Sequence, residues 1–283
     1  MRLRTVQLSD GPAPCVRLRD GRLARIDRLL PDAPRDLLAL LESERLDALA
    51  AVVDGTAAVA DDYCVDTEAP VLAPWTRPRK ILGIGLNYGA HAGDLGEQAP
   101  RSSPASFLKG DHTIVGPGRP IVVPPGIGKV TAEAELGLVI GRTCHQVGVD
   151  EALSYVAGVV PVLDQTAESV LMENPRYLTR VKNYPTFFAF GPELITLDEV
   201  LAHGPLSDLQ VATIHNGAVH RKDTVAGMTF SPAELLSFHS QVMPFYPGDI
   251  LSTGTPGAVG ISPGDVVRCE LGDGLAALTN PVR

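Results

Sequence analysis

Two glutamates, Glu133 and Glu135, lie at the start of an apolar run that continues through residues 136–140. In a β-strand, alternation places both carboxylates on one face and the intervening apolar side chains on the other. Neighbouring carboxylates repel each other unless a proton or a cation lies between them, so a hard divalent metal ion is one interpretation. The other is an exposed strand end, where the two charges cost little.

A third carboxylate, Asp164, follows the β-branched run 159–163, where a strand would deliver it to a loop. The alternative is that Asp164 caps the N-terminus of a following helix. Together with Glu133 and Glu135 it would form a set of three carboxylates with open coordination positions. Such a set suits Mg²⁺ or Mn²⁺, with water or substrate oxygens completing an octahedron.

A candidate proton shuttle lies upstream, where His91 and Asp94 are three residues apart. If this stretch is helical, the two side chains share a face and the carboxylate can orient the imidazole. Nearby Gly89, Gly93 and Gly96 would make the helix weak, which suits a mobile lid. The alternative is a surface histidine close to a surface aspartate.

Two lysines and one loop complete the candidates. Lys109 follows one aromatic patch and Lys182 precedes another, so either could bind a substrate carboxylate or stabilise an enolate, or could simply be solvated. The Gly-rich loop 253–260 lacks the Gly-Lys-Ser/Thr ending of a phosphate-binding loop, which disfavours nucleotide binding. Its small hydroxyls and backbone N–H groups could still hold a carboxylate.

Short strands must position these side chains. Beyond Arg79, β-branched runs alternate with Gly and Pro, which predicts strands at residues 81–85, 121–123 and 136–140. Asn216-Gly217 predicts a tight type I′ hairpin with His215 and His220 on its strands. A metal role for this histidine pair has little support, because no third ligand is close in sequence. Ser231 predicts a helix N-cap, with the helix running toward Val242.

The length of 283 residues suggests one large domain or a core with an appendage. The 28 glycines favour a β-rich fold. We predict a small N-terminal domain at residues 1–78 and a catalytic domain at residues 79–283. The first contains a helical leucine pattern at residues 37–46 and ends in a Pro-rich linker at 70–78.

Charge and hydropathy exclude several classes of partner. The net charge is −9 and no basic block is present, so a nucleic acid partner is not expected. No apolar run is long enough to span a bilayer and no signal sequence opens the chain, so we expect a cytoplasmic protein with no membrane partner. The four cysteines are far apart in sequence, which predicts free thiols.

In this order along the chain, these motifs resemble the fumarylacetoacetate hydrolase family. The resemblance covers roughly residues 79–282. The matching positions are Gly85-Leu86-Asn87-Tyr88 with His91, Phe107-Leu108-Lys109, Glu133-Ala134-Glu135-Leu136, Asp164, Lys182, Pro247-Gly248-Asp249, Ser252-Thr253-Gly254-Thr255-Pro256 and Gly264-Asp265-Val266-Val267.

The resemblance implies an α+β, mainly β fold, a mixed β-sheet roll that forms a homodimer. It also implies roles for individual positions. The metal ligands for Mg²⁺ or Mn²⁺ would be Glu133, Glu135 and Asp164; the catalytic residues would be His91, Asp94 and Lys182; and the substrate-binding residues would be Lys109, Gly254 and Thr255.

The resemblance further implies a metal-dependent hydrolase or lyase that acts on a small 2-oxo or 1,3-dioxo acid through an enolate, by acylpyruvate carbon–carbon cleavage or decarboxylation. Alternatives are a dehydratase of a 2-keto-3-deoxy sugar acid, an oxo-acid tautomerase and an inactive oxo-acid-binding relative. Residues 173–178 resemble a stretch of the dehydratases. Three positions depart from the family pattern: Asp94 replaces a common Glu, Glu168 an Arg and Pro185 an Asp.

Overall fold

The computed structural model describes residues 1–55, 59–89, 93, 100, 102–272 and 274–283. Its strands are β1 (Arg2–Leu8), β2 (Gly11–Arg17), β3 (Leu23–Arg25), β4 (Cys64–Val65), β5 (Ile81–Gly85), β6 (Ala105–Lys109), β7 (Ile114–Val115), β8 (Val130–Ile140), β9 (Val156–Thr166), β10 (Phe188–Phe190), β11 (Leu194–Thr196), β12 (Gln210–His215), β13 (Ala218–Thr224), β14 (Ile250–Ser252), β15 (Ala258–Ile261), β16 (Val266–Leu271) and β17 (Ala276–Pro281). Its α-helices are α1 (Ile26–Leu29), α2 (Leu37–Glu42), α3 (Leu46–Gly55), α4 (Val149–Ala152), α5 (Glu168–Glu173), α6 (Leu178–Lys182), α7 (Leu197–Leu201) and α8 (Pro232–Val242).

The strands form two sheets, and the fold is mainly β with a mixed sheet, as predicted. Thirteen of the described strands make the larger sheet, whose main path is β4-β3-β2-β1-β11-β9-β8-β14-β5-β6. Within it β14 runs parallel to β5 and β10 runs parallel to β7. The remaining four form the smaller sheet β13-β12-β16-β17, which contacts β8 through β12 and β16.

The centre of the larger sheet is the antiparallel pair β8 and β9, each eleven residues long. Every residue of β8 is buried, because both of its faces are covered. Leu136 and Leu138 lie in the apolar cluster on the side of the smaller sheet, whereas Val139 lies in the cluster shared with the N-terminal helices. Polar side chains on this pair are therefore removed from water and need partners.

The N-terminal residues continue the larger sheet, since β1 pairs with β11 through Arg2↔Ile195 and Leu3↔Leu194. The buried carboxylate of Glu193 accepts hydrogen bonds from Arg4 and Arg17, which ties this region to the rest of the chain. Residues 1–78 thus share a sheet and an apolar cluster with residues 79–283. The division into two domains stays a prediction.

The predicted helical stretch 37–46 is in fact divided. Helix α2 ends at Glu42, the N–H of Ser43 donates to the carbonyl of Ala39, and Glu44 adopts a φ of 54° before α3 begins at Leu46. A left-handed residue cannot continue an α-helix. The leucine spacing correctly marks a buried face, but it does not show the turn at residues 43–45 that separates the two helices.

The other local predictions are confirmed, with one exception. Strand β5 occupies residues 81–85 and β8 includes residues 136–140, whereas the predicted strand 121–123 is wrong, since only Ile121 forms an isolated bridge, to Val282. Asn216 and Gly217 have φ values of 49° and 83° and join β12 to β13, as a type I′ turn requires. Helix α8 begins after Ser231, whose side chain accepts from the N–H of Glu234 while the Glu234 carboxylate accepts from the N–H of Ser231.

All four cysteines carry free thiols, as predicted. Over the described ranges, no helix combines the length and the apolar character needed to cross a lipid bilayer.

Candidate functional site

Three carboxylates meet where β8 and β9 pair. Glu133 lies directly opposite Asp164 in the register, and Glu135 is two residues further along the same face of β8. One oxygen from each side chain lies within 4.8 Å of one from each of the others, and all three side chains are buried. Among the described residues, no other group of three or more His, Cys, Asp or Glu side chains converges in this way.

Two alternatives from the sequence are therefore wrong. Glu133 and Glu135 do not form an exposed strand end, because β8 is buried on both faces. Asp164 does not cap a helix, because β9 continues to Thr166 and Ala167 occupies the N-cap position of α5. Nor is Asp164 delivered to a loop: it lies inside the strand, where cross-strand pairing fixes its position against Glu133.

Two buried lysines approach these carboxylates from different elements. Lys109 is the last residue of β6, and its Nζ donates to Asp164 Oδ1. Lys182 is the last residue of α6, and its Nζ lies 2.6 Å from Asp164 Oδ2 and 2.9 Å from Glu133 Oε2. The two residues are 4% and 5% exposed, so the interpretation that they are solvated is wrong for both.

Burial and charge together set the protonation of the cluster. Burial, and then the charges of Asp164 and Glu133, raise the pKa of Glu135 to about 8. Burial lowers the pKa of Lys109 to about 8, although Asp164 opposes this change. For Lys182, burial lowers the pKa but the attraction of Asp164, Glu133 and Glu135 outweighs it, so its pKa lies above the ordinary value. Lys182 is therefore cationic at neutral pH.

The chemistry of the donors fits a divalent metal ion. Three carboxylate oxygens within reach of one another suit Mg²⁺ or Mn²⁺, both of which prefer oxygen ligands. Three carboxylates exceed two ammonium groups by one negative charge when all five groups are ionised. Burial is the main cause of the raised pKa of Glu135, and this excess of negative charge adds to it; a divalent cation would remove the excess. Glu133, Glu135 and Asp164 could thus hold the ion.

The loop after β14 borders the same cluster. The N–H of Gly254 donates to Glu135 Oε2 at 3.0 Å, and the Thr255 hydroxyl lies 3.2 Å from the carbonyl of Gly257. Asn87 holds the loop in place, since its Nδ2 donates to the carbonyl of Thr253 at 2.8 Å. Gly254 has a φ of 94°, and a Cβ there would lie 2.9 Å from the Cβ of Asn87, so glycine is required.

Sequence reasoning assigned no role to three supporting residues. The Thr166 hydroxyl donates to Glu133 Oε1 at 2.6 Å, and strand alternation two residues after Asp164 could have revealed it. Ser252 donates to Glu135 Oε2 at 2.5 Å, and only the strand pairing brings it there. The Phe107 ring lies 4.6 Å from Lys182 Nζ. In the sequence, Phe107 is visible only as the aromatic residue before Lys109.

The remaining candidates have other surroundings. His91 and Asp94 lie outside the described residues. His215 pairs with Asp265 at 3.2 Å rather than with the carboxylate cluster. Glu168, which replaces a family arginine, forms an ion pair with Lys129 at 2.8 Å.

Comparisons with known proteins agree with the fold. A family model described as fumarylacetoacetate (FAA) hydrolase C-terminal matches residues 80–283. The mitochondrial oxaloacetate tautomerase Fahd2a of Rattus norvegicus is 30% identical over 270 residues, which cover 93% of this chain and 84% of that protein.

Two solved structures are similar over 100% of this chain and 98% of their own. One is 5-carboxymethyl-2-hydroxymuconate delta-isomerase from Mycobacterium smegmatis, with 28% identity and a TM-score of 0.75. The other is maleylpyruvate hydrolase from Sphingobium sp. SYK-6 in complex with manganese(II) and pyruvate, with 26% identity and a TM-score of 0.77. The relatives are thus enzymes of more than one reaction type.

Proposed function

Because the chain belongs to the fumarylacetoacetate hydrolase family, we propose that it is a divalent-metal-dependent enzyme that enolises a 2-oxo carboxylic acid. Its proposed reaction is the keto–enol tautomerisation of oxaloacetate or a similar acid. The observation on which this rests is the buried cluster of Glu133, Glu135 and Asp164 with Lys109 and Lys182 at its edge. Relatives 30–32% identical to the chain are oxaloacetate tautomerases, which supports this choice of reaction.

In this proposal Glu133, Glu135 and Asp164 hold Mg²⁺ or Mn²⁺. When bound, the ion supplies Lewis-acid polarisation of the substrate's 2-oxo group. Lys182 remains protonated at neutral pH and stabilises the negative charge that develops on the substrate oxygen as the C3 proton leaves. Tautomerisation moves one proton from carbon to oxygen and leaves the composition unchanged.

Substrate binding and proton transfer are assigned to the surrounding groups. Lys109 and Thr255 bind the substrate carboxylate from the side of the Gly-rich loop, and the turn at Gly254 brings Thr255 into place. His91, oriented by Asp94, transfers the proton at C3. Charge balance supports a carboxylate substrate, because three carboxylates, two lysines and a divalent ion leave one positive charge.

A second candidate is hydrolytic carbon–carbon cleavage of an acylpyruvate. The likeness to a maleylpyruvate hydrolase with manganese and pyruvate favours it. Cleavage also develops an enolate on the pyruvate fragment, so the same cluster could stabilise it. It differs in adding water across the broken carbon–carbon bond.

Proton NMR in D₂O distinguishes these reactions. The enzyme with diamagnetic Mg²⁺ is mixed with oxaloacetate, an acylpyruvate or a 2-keto-3-deoxy sugar acid. We expect accelerated loss of the C3 proton signal of oxaloacetate without a new carbon skeleton. Lys182→Met should abolish this acceleration, whereas Lys222→Met, on the exposed side of β13, should retain it.

The alternative outcomes are equally distinct. Pyruvate and a second acid from the acylpyruvate would favour the hydrolase, and a 2,5-dioxo product the dehydratase. Binding of an oxo acid with no exchange of its C3 protons would refute enolisation and favour an inactive relative.

The homodimer stays a prediction, which sedimentation velocity tests.

A further inference from the structure

Glu135 is held differently from the other two carboxylates of the cluster. Lysine ammonium groups contact Glu133 and Asp164. Glu135 Oε2 instead accepts hydrogen bonds from two neutral donors, the Ser252 hydroxyl at 2.5 Å and the N–H of Gly254 at 3.0 Å. Once ionised, a carboxylate that accepts hydrogen bonds from neutral donors has its negative charge left for a cation.

Strand pairing places the Ser252 hydroxyl at this point. Ser252 is the last residue of β14 and lies opposite Gly137 of β8, so it is the diagonal neighbour of Glu135 on one face of the sheet. The chain then turns at Gly254, which directs that residue's N–H to the same oxygen. The Gly254 donor is thus a backbone group, and the Ser252 donor is a hydroxyl on a short side chain whose backbone is fixed by strand pairing.

Water cannot replace the Ser252 hydroxyl without a rearrangement, because Ser252 and Glu135 are each 1% exposed. Removing the hydroxyl would leave a buried carboxylate oxygen with one donor fewer. The carboxylate could then rotate away from Glu133 and Asp164, with which it shares the cluster. Groups that orient metal ligands in this way commonly change metal affinity by about 10–100-fold when they are mutated.

We infer that Ser252 is a positioning residue for the metal centre, and that its hydroxyl holds the Glu135 carboxylate in the orientation that binds the ion. This inference rests on the metal site of the proposed function, but not on which oxo acid reacts. Ser252 contacts the ligand rather than the ion or the substrate. It should therefore affect the concentration of metal required more than the rate at saturating metal.

Manganese binding tests the inference directly. Electron paramagnetic resonance measures free Mn²⁺ during titration of the wild-type protein, Ser252→Ala and Ser252→Thr. We expect the alanine variant to raise the Kd for Mn²⁺ by about 10–100-fold, and threonine, which keeps the hydroxyl, to restore most of the affinity. At saturating Mn²⁺, kcat of the alanine variant should be within about threefold of wild type.

A matched control is Ser240→Ala. Ser240 is fully buried in α8, where its hydroxyl donates to the carbonyl of Ser237 and accepts from the N–H of Val147. Urea denaturation of each variant measures the loss of stability. Ser240→Ala should lose stability with an unchanged Kd for Mn²⁺.

Two results would overturn the inference: a wild-type Kd in Ser252→Ala, or a Kd raised equally in Ser240→Ala. Wild-type protein that fails to bind Mn²⁺ would refute the metal site and the inference together. Normal Mn²⁺ binding without turnover of any oxo acid would refute only the proposed reaction.

Discussion

The raised pKa of Glu135 predicts that metal binding and folding stability are coupled through pH. The perturbation is Glu135→Gln, which replaces the carboxylate by a neutral group of the same shape. The pKa of Glu135 is raised from its ordinary value of 4.5 to about 8 by burial and by the charges of Asp164 and Glu133. The folded, metal-free protein therefore binds this proton more tightly than the unfolded chain does.

The sign and size follow from linkage. Because the folded pKa lies above the unfolded value, the stabilisation is complete below pH 4.5 and is lost as the pH rises through about 8. At about 1.4 kcal/mol for each pKa unit, the full difference is about 5 kcal/mol, of which about 3 kcal/mol is lost between pH 4.5 and 7. The lowered pKa of Lys109 acts in the opposite direction, but only between about 8 and 10.5.

Urea unfolding in EDTA between pH 5 and 8 measures this effect. We expect the stability of the wild-type protein to fall by about 3–4 kcal/mol more than that of Glu135→Gln over this window. Excess Mg²⁺ or Mn²⁺ should remove most of the difference, because the ion stabilises the ionised carboxylate. Glu270→Gln, on the partly exposed side of β16, is the control and should follow the wild-type curve.

One result would refute this reasoning. If the wild type and Glu135→Gln lose stability in parallel, within about 1 kcal/mol from pH 5 to 8, Glu135 does not carry a strongly raised pKa in the folded protein.

Three further predictions concern the surroundings of the cluster. Lys182→Met should lower kcat about 10²–10³-fold at saturating metal because it removes a buried cation. The exposed control Lys129→Met should keep kcat within about twofold of wild type. Equal losses of kcat in steady-state assays would contradict the role of Lys182. Phe107→Leu removes the ring 4.6 Å from Lys182 Nζ and should lower kcat/KM about 3–30-fold, with Phe238→Leu as the surface control. An unchanged kcat/KM in Phe107→Leu would show that the ring does not position the lysine. In thiol titration with an aromatic disulfide, Cys64 should react first in the folded protein, and the other three cysteines only after denaturation, because those three are buried. Rapid modification of all four thiols in the folded protein would contradict this burial.

The sequence by itself determined the features that depend on a few neighbouring residues. Asn216-Gly217 specifies its hairpin because both residues tolerate positive φ. Ser231 begins its helix through the reciprocal hydrogen bonds with Glu234. Alternation alone placed Glu133 and Glu135 on one face of a strand. In each case the interactions span four residues or fewer.

The tertiary structure decided which distant residues meet. The pairing of Glu133 with Asp164 joins residues 31 apart in sequence, and the contact of Ser252 with Glu135 joins residues 117 apart. The resemblance to the family had grouped Asp164 with the two glutamates, but local sequence patterns show neither contact, because register follows from burial and packing across whole strands. Whether Lys109 is buried or solvated was undecided for the same reason. A lysine buried beside carboxylates and a lysine in solvent have the same local sequence, and only the fold determines the charges that surround the side chain.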